Sequence, residues 1–382
     1  MRRLTALGMF MFFLALVAGC SEDDPVEPAT GDDLSALERG DVGNGELRVM
    51  TWNIYVGANV DVVLAATDPV DAAQKVAVAY EELKATNFPE RARAIAAQVA
   101  RHRPHLIGLQ EVSLIQLLDP LTWGVVEETD FLKILQDALR QRGLRYRVAG
   151  SVENADVTVP RLIGFENEEP LLDYVRLLDM DVVLVREGVG VSAATSGRYI
   201  AALPIEALDA EIPRGYVSIV ARVGIRQVRF VTTHLESAFE EIRLPQAQEL
   251  AALLAAETLP TIVVGDFNTL DPAAPNPLND GTYRFLTTDG GFRDAWMLRP
   301  GHRDDAGFTS PHDPDLRNPA ANLYERIDLV LLRNFPQKGD RFSPGTVHAE
   351  VIGEEEADRT QSGMWPSDHA GVVVSLNGKT AL

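Results

Sequence analysis

Apolar runs of strand length recur along the chain, and six short polar boxes sit at or beside their ends. They are Thr51-Trp52-Asn53, Gln110-Glu111, Thr233-His234-Leu235, Gly265-Asp266-Phe267-Asn268, Arg326-Ile327-Asp328 and Ser367-Asp368-His369. Buried polar groups are costly unless they find partners, so strands that end this way are constrained to bring their ends together along one rim. Such a rim would gather carboxylates, amides and two histidines into one acidic pocket able to take a metal.

The strands read from the pattern lie at 47–52, 105–109, 181–185, 260–264, 326–332, 344–351 and 370–376, with 215–223 and 227–233 joined as a hairpin at Gly224. Helical periodicity is clearest at 89–102, 130–142 and 242–257, and Pro104 and Gly143 stop the first two. Interleaved strands and helices with hairpins predict an α/β sandwich of mixed sheets. Segments 56–88, 112–128, 151–178 and 270–322 read as long connections, where substrate choice usually resides. From residue 47 to 378 the chain of 382 residues shows no linker-like break, so a single catalytic domain is expected there.

The N-terminal part reads differently. Arg2 and Arg3 precede an apolar stretch at 5–19 that falls short of the ~20 residues a membrane-spanning helix needs, so residues 1–19 read as a signal peptide. Cys20 is the only cysteine, which excludes an internal disulfide. The sequence Leu16-Val17-Ala18-Gly19-Cys20 resembles the bacterial lipoprotein box, which implies cleavage before Cys20, a lipid on its sulfur and a protein tethered to a membrane. Ser21 then implies outer-membrane sorting in a Gram-negative host. Residues 20–46 carry nine acidic side chains against Arg39 alone and read as a solvated, disordered tether. Losing Arg2 and Arg3 takes the formal charge from −21 to −23, and no run of five basic residues occurs, so no basic nucleic-acid patch is visible. A monomer is expected.

Glu111 closes an apolar strand and needs a partner or cation there; with Asn53 it could hold one Mg²⁺, which takes few carboxylates and keeps several waters. Either residue could equally be a strand end facing solvent. Asp266 and Asn268 would share one side of extended backbone with Phe267 opposite. A carboxylate that takes a proton from water beside an amide that donates to an anionic oxygen suits attack on phosphorus, while an Asx turn is the plainer alternative. Ser367, Asp368 and His369 are consecutive and cannot form a serine-protease triad. Asp368 reads instead as a further metal ligand, and His369 as a phosphate contact that Asp328 orients and keeps protonated. His234 would add a second donor. Asp181 reads as a strand-opening residue rather than a support to the site. His102 and His105 have zinc-like spacing but no completing ligand, and Gly378-Lys379-Thr380 lacks the rest of a phosphate-binding loop.

As an ordered set, TWN, QE, THL, GDFN, RID and SDH resemble the endonuclease/exonuclease/phosphatase superfamily over about 47–376. The resemblance implies a DNase I-like four-layer sandwich, two mixed β-sheets flanked by helices. It implies Asn53, Glu111 and Asp368 at the metal, Mg²⁺ with Mn²⁺ or Ca²⁺ as alternatives, and Asp266 activating water. It also implies Asn268 and His234 on the phosphate and Asp328 paired with His369. Arg214 occupies a place similar to a phosphate-binding arginine of some members, and a structural ion pair is the alternative there. The activity so implied is hydrolysis of a phosphodiester by metal- and Asp-activated water at the cell envelope. A phospholipid or sphingomyelin phosphodiesterase and an extracellular nuclease are the main rivals, and a non-catalytic surface binding module is a third reading.

Overall fold

The computed structural model describes residues 46–205, 210–269, 281–300, 305–335 and 344–378. Cys20, the signal peptide and the tether up to residue 45 lie outside the described residues, as does part of the 270–322 connection. Glu46, counted above with the tether, is the first residue of a strand.

In chain order the first elements are β1 (Glu46–Asn53), α1 (Asp61–Leu64), α2 (Pro69–Ala85), α3 (Phe88–His102), β2 (Leu106–Gln110), β3 (Leu114–Leu118), β4 (Val125–Asp130) and α4 (Phe131–Gln141). There follow β5 (Tyr146–Glu166), β6 (Glu169–Arg186), β7 (Gly190–Arg198), β8 (Leu203–Ile205), β9 (Ala210–Ile212), β10 (Gly215–Val223), β11 (Arg226–His234) and α5 (Glu240–Leu253). The chain continues with β12 (Thr261–Asp266), α6 (Gly281–Thr287), β13 (Arg293–Asp294), α7 (Ala295–Leu298), β14 (Asp328–Arg333), β15 (Pro344–Ile352) and β16 (Gly371–Gly378).

One sheet runs β15-β16-β1-β2-β6-β3-β4 with β5 also paired to β6, and the other runs β13-β14-β12-β11-β10-β7. Pairs β1–β2 and β11–β12 are parallel and their neighbours antiparallel, so both sheets are mixed. Alternation along each strand sets four layers. Val49, Leu106, Val183, Val185, Phe230, Ile262, Val264, Val330 and Leu332 face the opposite sheet and fill the space between the two. Met50, Trp52, Ile107, Leu109, Val182 and Leu184 face outward onto Ile95, Val99, Leu135 and Leu139 of α3 and α4. Val231, Val263, Leu329 and Leu331 face the other way onto Leu250 and Leu286 of α5 and α6. Gly108 marks the closest approach of the sheets: a Cβ there would lie 2.5 Å from both Thr232 Oγ1 and Val264 Cγ2.

Three of the long connections hold regular structure. Segment 56–88 contains α2, whose Asp68 N-cap accepts from Val70 N and Asp71 N ahead of Pro69. Segment 112–128 contains β3 and β4, and 151–178 forms most of a long antiparallel hairpin, β5–β6, where the sequence suggested a strand only from 181. Residues 182–185 of β6 pair with β2 while 174–178 pair with β3, so the hairpin continues past the end of β2 as an arm. Many arm side chains are half-exposed, leaving no apolar run by which to recognise these strands. Among the described residues no helix is long and apolar enough to cross a membrane.

Candidate active site

The inward phase that fills the inter-sheet core with Val49, Leu106, Phe230, Val264 and Val330 turns polar at one end of the sandwich. There the same phase delivers Thr51 and Asn53, Gln110, Thr232 and His234, Asp266, and Asp328. Register lines them up: Asn53 lies beside Gln110, His234 beside Asp266, and Asp266 beside Asp328. Thr51 donates to Gln110 Oε1 at 3.2 Å and Gln110 Nε2 donates to Thr232 Oγ1 at 2.8 Å, so a hydrogen-bonded bridge ties the sheets together just below the rim.

Asp266 is the centre of the site and is 1% exposed. Its Oδ1 accepts from the Asn268 backbone N at 2.9 Å. Its Oδ2 faces three nitrogens: Asn53 Nδ2 at 3.1 Å, His234 Nε2 at 3.4 Å and His369 Nε2 at 3.8 Å. Burial, and then the charge of Asp328, push the Asp266 pKa up to about 7 against the pull of His369. His369 Nδ1 lies 2.8 Å from Asp328 Oδ2. Although burial opposes its charge, the ring beside Asp328, Asp368 and Asp266 is held well above the usual histidine range. His369 is therefore an imidazolium whose Nδ1–H is spent on Asp328 and whose Nε2–H points toward Asp266.

His234 is the opposite case. Its pKa is pushed well below the usual range, by burial first and then by the charges of Arg214 and His369. Arg214 Nη1 lies 3.1 Å from His234 Nδ1. Arg214 can only donate, so Nδ1 accepts and the ring carries its proton on Nε2, toward Asp266. Arg214 is thus tied to a histidine instead of forming a simple ion pair.

Glu111 occupies a break in the sheet: its φ is 57° and it stands between β2 and β3. The left-handed backbone turns its carboxylate into the rim, where Oε1 accepts from Asn53 Nδ2 at 2.9 Å and Oε2 from Val56 N at 2.8 Å. Asn53 Oδ1 in turn accepts from Tyr55 N, so this amide bridges Glu111 and Asp266. Asp368 is raised to about 7, by burial first and with Glu111 and Asp328 adding to it against His369 and Arg91. Ser367 Oγ donates to the Asn53 carbonyl at 2.7 Å and brings the SDH box to the end of β1.

Asp266, Asp328 and His369 form a buried group with ligand atoms within 4.8 Å of one another. The buried Asp328 Oδ1 has no hydrogen-bond partner. His369, protonated on both ring nitrogens, cannot be a ligand, so it is the carboxylate oxygens of the rim, one of them left unpartnered on Asp328, that fit a hard divalent cation.

Asn268 departs from the extended backbone expected of it. Its φ is 49°, its N donates to Asp266 Oδ1 in an Asx turn, and its Nδ2 donates to the Leu235 carbonyl at 2.9 Å. Phe267 packs into the outer core, as alternation requires.

The sequence reading overlooked Arg91. It is buried within α3 and donates to the carbonyls of Ile54 (2.7 Å), Tyr55 (3.0 Å), Thr86 (3.0 Å) and Pro366 (3.2 Å), binding the chain after Asn53 to the chain before Ser367. Arg326 of the RID box makes a buried 2.7 Å ion pair with Asp294 and serves the fold rather than the rim. His105 accepts from Arg48 N, and His102 pairs with Glu350 at 2.8 Å.

The structure is similar to that of an endonuclease/exonuclease/phosphatase family protein from Leptotrichia buccalis, with a TM-score of 0.52 and 17% identity over 86% of this chain and 98% of the other. It is also similar to the mannosyl-6-phosphatase of Bacteroides thetaiotaomicron, with a TM-score of 0.50 and 17% identity over 86% of this chain and 98% of that one. At such identities the likeness is one of fold. No curated protein matches the sequence. The profile of the Endonuclease/Exonuclease/phosphatase family matches residues 50–369, from the first polar box through the last, and the chain belongs to that family.

Proposed function

We propose that this protein is a divalent-metal-dependent phosphodiesterase of the cell envelope. The observation that carries the reading is the setting of Asp266: a buried carboxylate with its pKa near neutrality, facing His369 held as an imidazolium by Asp328. In this reading Asp266 takes a proton from water as the water oxygen bonds to phosphorus, and the P–O bond to the leaving group breaks with its electron pair going to that oxygen. The Nε2–H groups of His369 and His234 offer hydrogen bonds to phosphoryl oxygens, and Arg214 holds His234 in the required tautomer. Asn268 turns the chain after Asp266 and lies at the phosphate. Glu111 and Asp368 would hold the metal, with Asn53 fixed between Glu111 and Asp266. Mg²⁺, the ion proposed, polarises a phosphoryl oxygen when bound.

The arm supports an amphiphilic substrate over a nucleic acid. It exposes Ile163, Phe165 and Leu171, the neighbouring β3–β4 hairpin exposes Leu121, Trp123 and Val126, and the chain is strongly acidic. Purified protein should hydrolyse bis-p-nitrophenyl phosphate with Mg²⁺ and, in a panel of phospholipid, sphingomyelin, inositol phosphates and plasmid DNA, should favour the lipids. Turnover confined to DNA would identify a nuclease, and no turnover at all would favour a non-catalytic binding module.

Chelation should abolish activity and Mg²⁺ restore it. A bound ion would displace the proton from Asp368 and its charge would disfavour the proton on nearby Asp266, both groups being pushed up to about 7. A raised carboxyl pKa makes the folded protein bind protons that the unfolded chain has released. Metal-free stability should therefore fall as pH rises from the ordinary carboxylate range through about 7, and Mg²⁺ should offset that fall. Melting temperatures with and without Mg²⁺ across that range check it; a Mg²⁺-induced shift that shrinks as pH rises contradicts the reading.

Lipid attachment at Cys20 is part of the proposal and rests on the lipoprotein-like sequence around it. Cys20→Ala should abolish metabolic labelling with radioactive palmitate and release the protein from the membrane fraction. Labelling that persists would rule the anchor out.

A further inference from the structure

On the arm side of Glu111, the inward phase of β6 places Asp179 and Asp181 beside the catalytic rim, next to the end of β2. Neither follows from the proposed hydrolysis. Asp181 is fully buried, neither of its carboxylate oxygens has a donor within hydrogen-bond distance, and the Asn154 amide close by only partly eases its charge. An ionised carboxylate in that position is expensive unless a cation meets it.

The opposite strand has been shaped around this pair. Pairing between β5 and β6 shifts at residues 153–155: Glu153 lies opposite Met180 and Ala155 opposite Asp179, leaving Asn154 as the extra residue of a bulge. Bulges near active sites re-aim a side chain, and this one buries Asn154. Its Nδ2 donates to Asp179 Oδ2 at 3.3 Å, and its buried Oδ1 has no partner. Three buried oxygens, both of Asp181 and one of Asn154, are thus unpartnered at one place, with the half-buried Asp179 beside them.

The nearby charges point the same way. Glu111, Asp179, Asp181, Asp266, Asp328 and Asp368 are six carboxylates, against the three cations Arg91, Arg214 and His369. One divalent ion held by Glu111 and Asp368 would leave this surround short of positive charge. Burial dominates the pKa of both Asp179 and Asp181, with Glu111 adding to it at Asp179 and Asp179 adding to it at Asp181, and raises Asp179 to about 6 and Asp181 well above the usual range, although Asn154 and Arg214 lower both. The Arg214 guanidinium is hydrogen-bonded to His234, and no hydrogen bond reaches Asp181 from it.

We propose that Asp179, Asp181 and the Asn154 amide oxygen form a second cation site, separate from the Glu111 and Asp368 pair, that takes a hard divalent ion of calcium's size. The donors are all oxygens, and burial of Asp181 leaves little room for the water shell that Mg²⁺ keeps, whereas Ca²⁺ accepts more protein oxygens in flexible geometry. The ion would brace the root of the arm against the rim. The site does not depend on which phosphoester is hydrolysed.

The test is calorimetric titration of Ca²⁺ into full-length protein already saturated with Mg²⁺. Wild type should bind a single Ca²⁺, and Asp368→Asn should still bind it. Asp181→Asn should weaken Ca²⁺ binding by at least about tenfold, with Asn154→Ala intermediate. Without Ca²⁺, Asp181→Asn should melt above wild type, because the unpartnered carboxylate is gone; with Ca²⁺ the order should reverse. If Asp181→Asn does not fold, judged by circular dichroism, Asp179→Asn takes its place in the titration. Unchanged Ca²⁺ affinity in these variants, or wild type that binds no Ca²⁺ once Mg²⁺ is saturating, would overturn the proposal and leave Asp181 a protonated acid.

Discussion

Asp266→Ala should lower kcat on bis-p-nitrophenyl phosphate by about three orders of magnitude, and His369→Ala by about two to three. A positioned general base contributes roughly 10²–10⁴ in rate, and one preorganised donor to a developing anionic oxygen about 10²–10³. Asp266 is placed above the lower end of its range because Oδ2 also keeps Asn53, His234 and His369 directed at a single point. Asp266→Asn separates the roles: it keeps the shape, loses the base and should fall nearly as far. None of these losses should come from unfolding. Removing a buried carboxylate whose pKa its surroundings have raised should leave the melting temperature unchanged or higher. A Mg²⁺-loaded Asp266→Ala protein retaining more than about a tenth of wild-type kcat would remove Asp266 from the chemistry.

The second large effect is on stability. Arg91→Ala should cost about 3–5 kcal/mol, the range for breaking a buried charged network. Four carbonyl oxygens, those of Ile54, Tyr55, Thr86 and Pro366, would lose their donor at once, each loss carrying a desolvation penalty of about 1–3 kcal/mol that is not additive. The space left would adjoin Phe88 and Phe131, which stack with centroids 3.7 Å apart, with the Phe88 ring 4.9 Å from the guanidinium carbon. Burial pushes the Arg91 pKa down to about 10, so it stays charged at neutral pH. Arg91→Lys should recover only part of the loss, because an ammonium cannot reproduce a planar fork aimed at four acceptors. Denaturant titration measures both, and a loss below about 1 kcal/mol for Arg91→Ala would show that the carbonyls are satisfied in another way.

What the sequence made legible was the inward end of each strand. The boxes could be read because a buried strand is an apolar run, and a polar residue closing such a run stands out; Asn53, Glu111, Asp266, Asp328 and His369 were all found this way. The mixed-sheet α/β sandwich followed from the same runs, and its four layers from the family resemblance. Arg91 was missed because an arginine on an amphipathic helix ordinarily faces solvent, and only the meeting of residues 54–55 with residue 366 turns it inward. Asp179 and Asn154 were missed because they lie on strands whose outer halves alternate without an apolar run, so the reading began at 181 and took the rest for loop. The left-handed conformation of Glu111 left no sequence signal, since the residue is not glycine, whereas that of Asn268 belongs to the Asx turn that the sequence offered as the plainer alternative.

The arm carries a consequence for how such a protein changes over time. Its strands beyond the rim pair with one another and pack on α2, where Arg161 bonds Asp173 and lies over the Tyr80 ring, and they add nothing to the hydrogen bonding between β1 and β2. Length and chemistry at its tip are therefore free to drift while the reacting groups stay fixed. A descendant could acquire a new diet by exchanging hairpins, inheriting its chemistry unaltered.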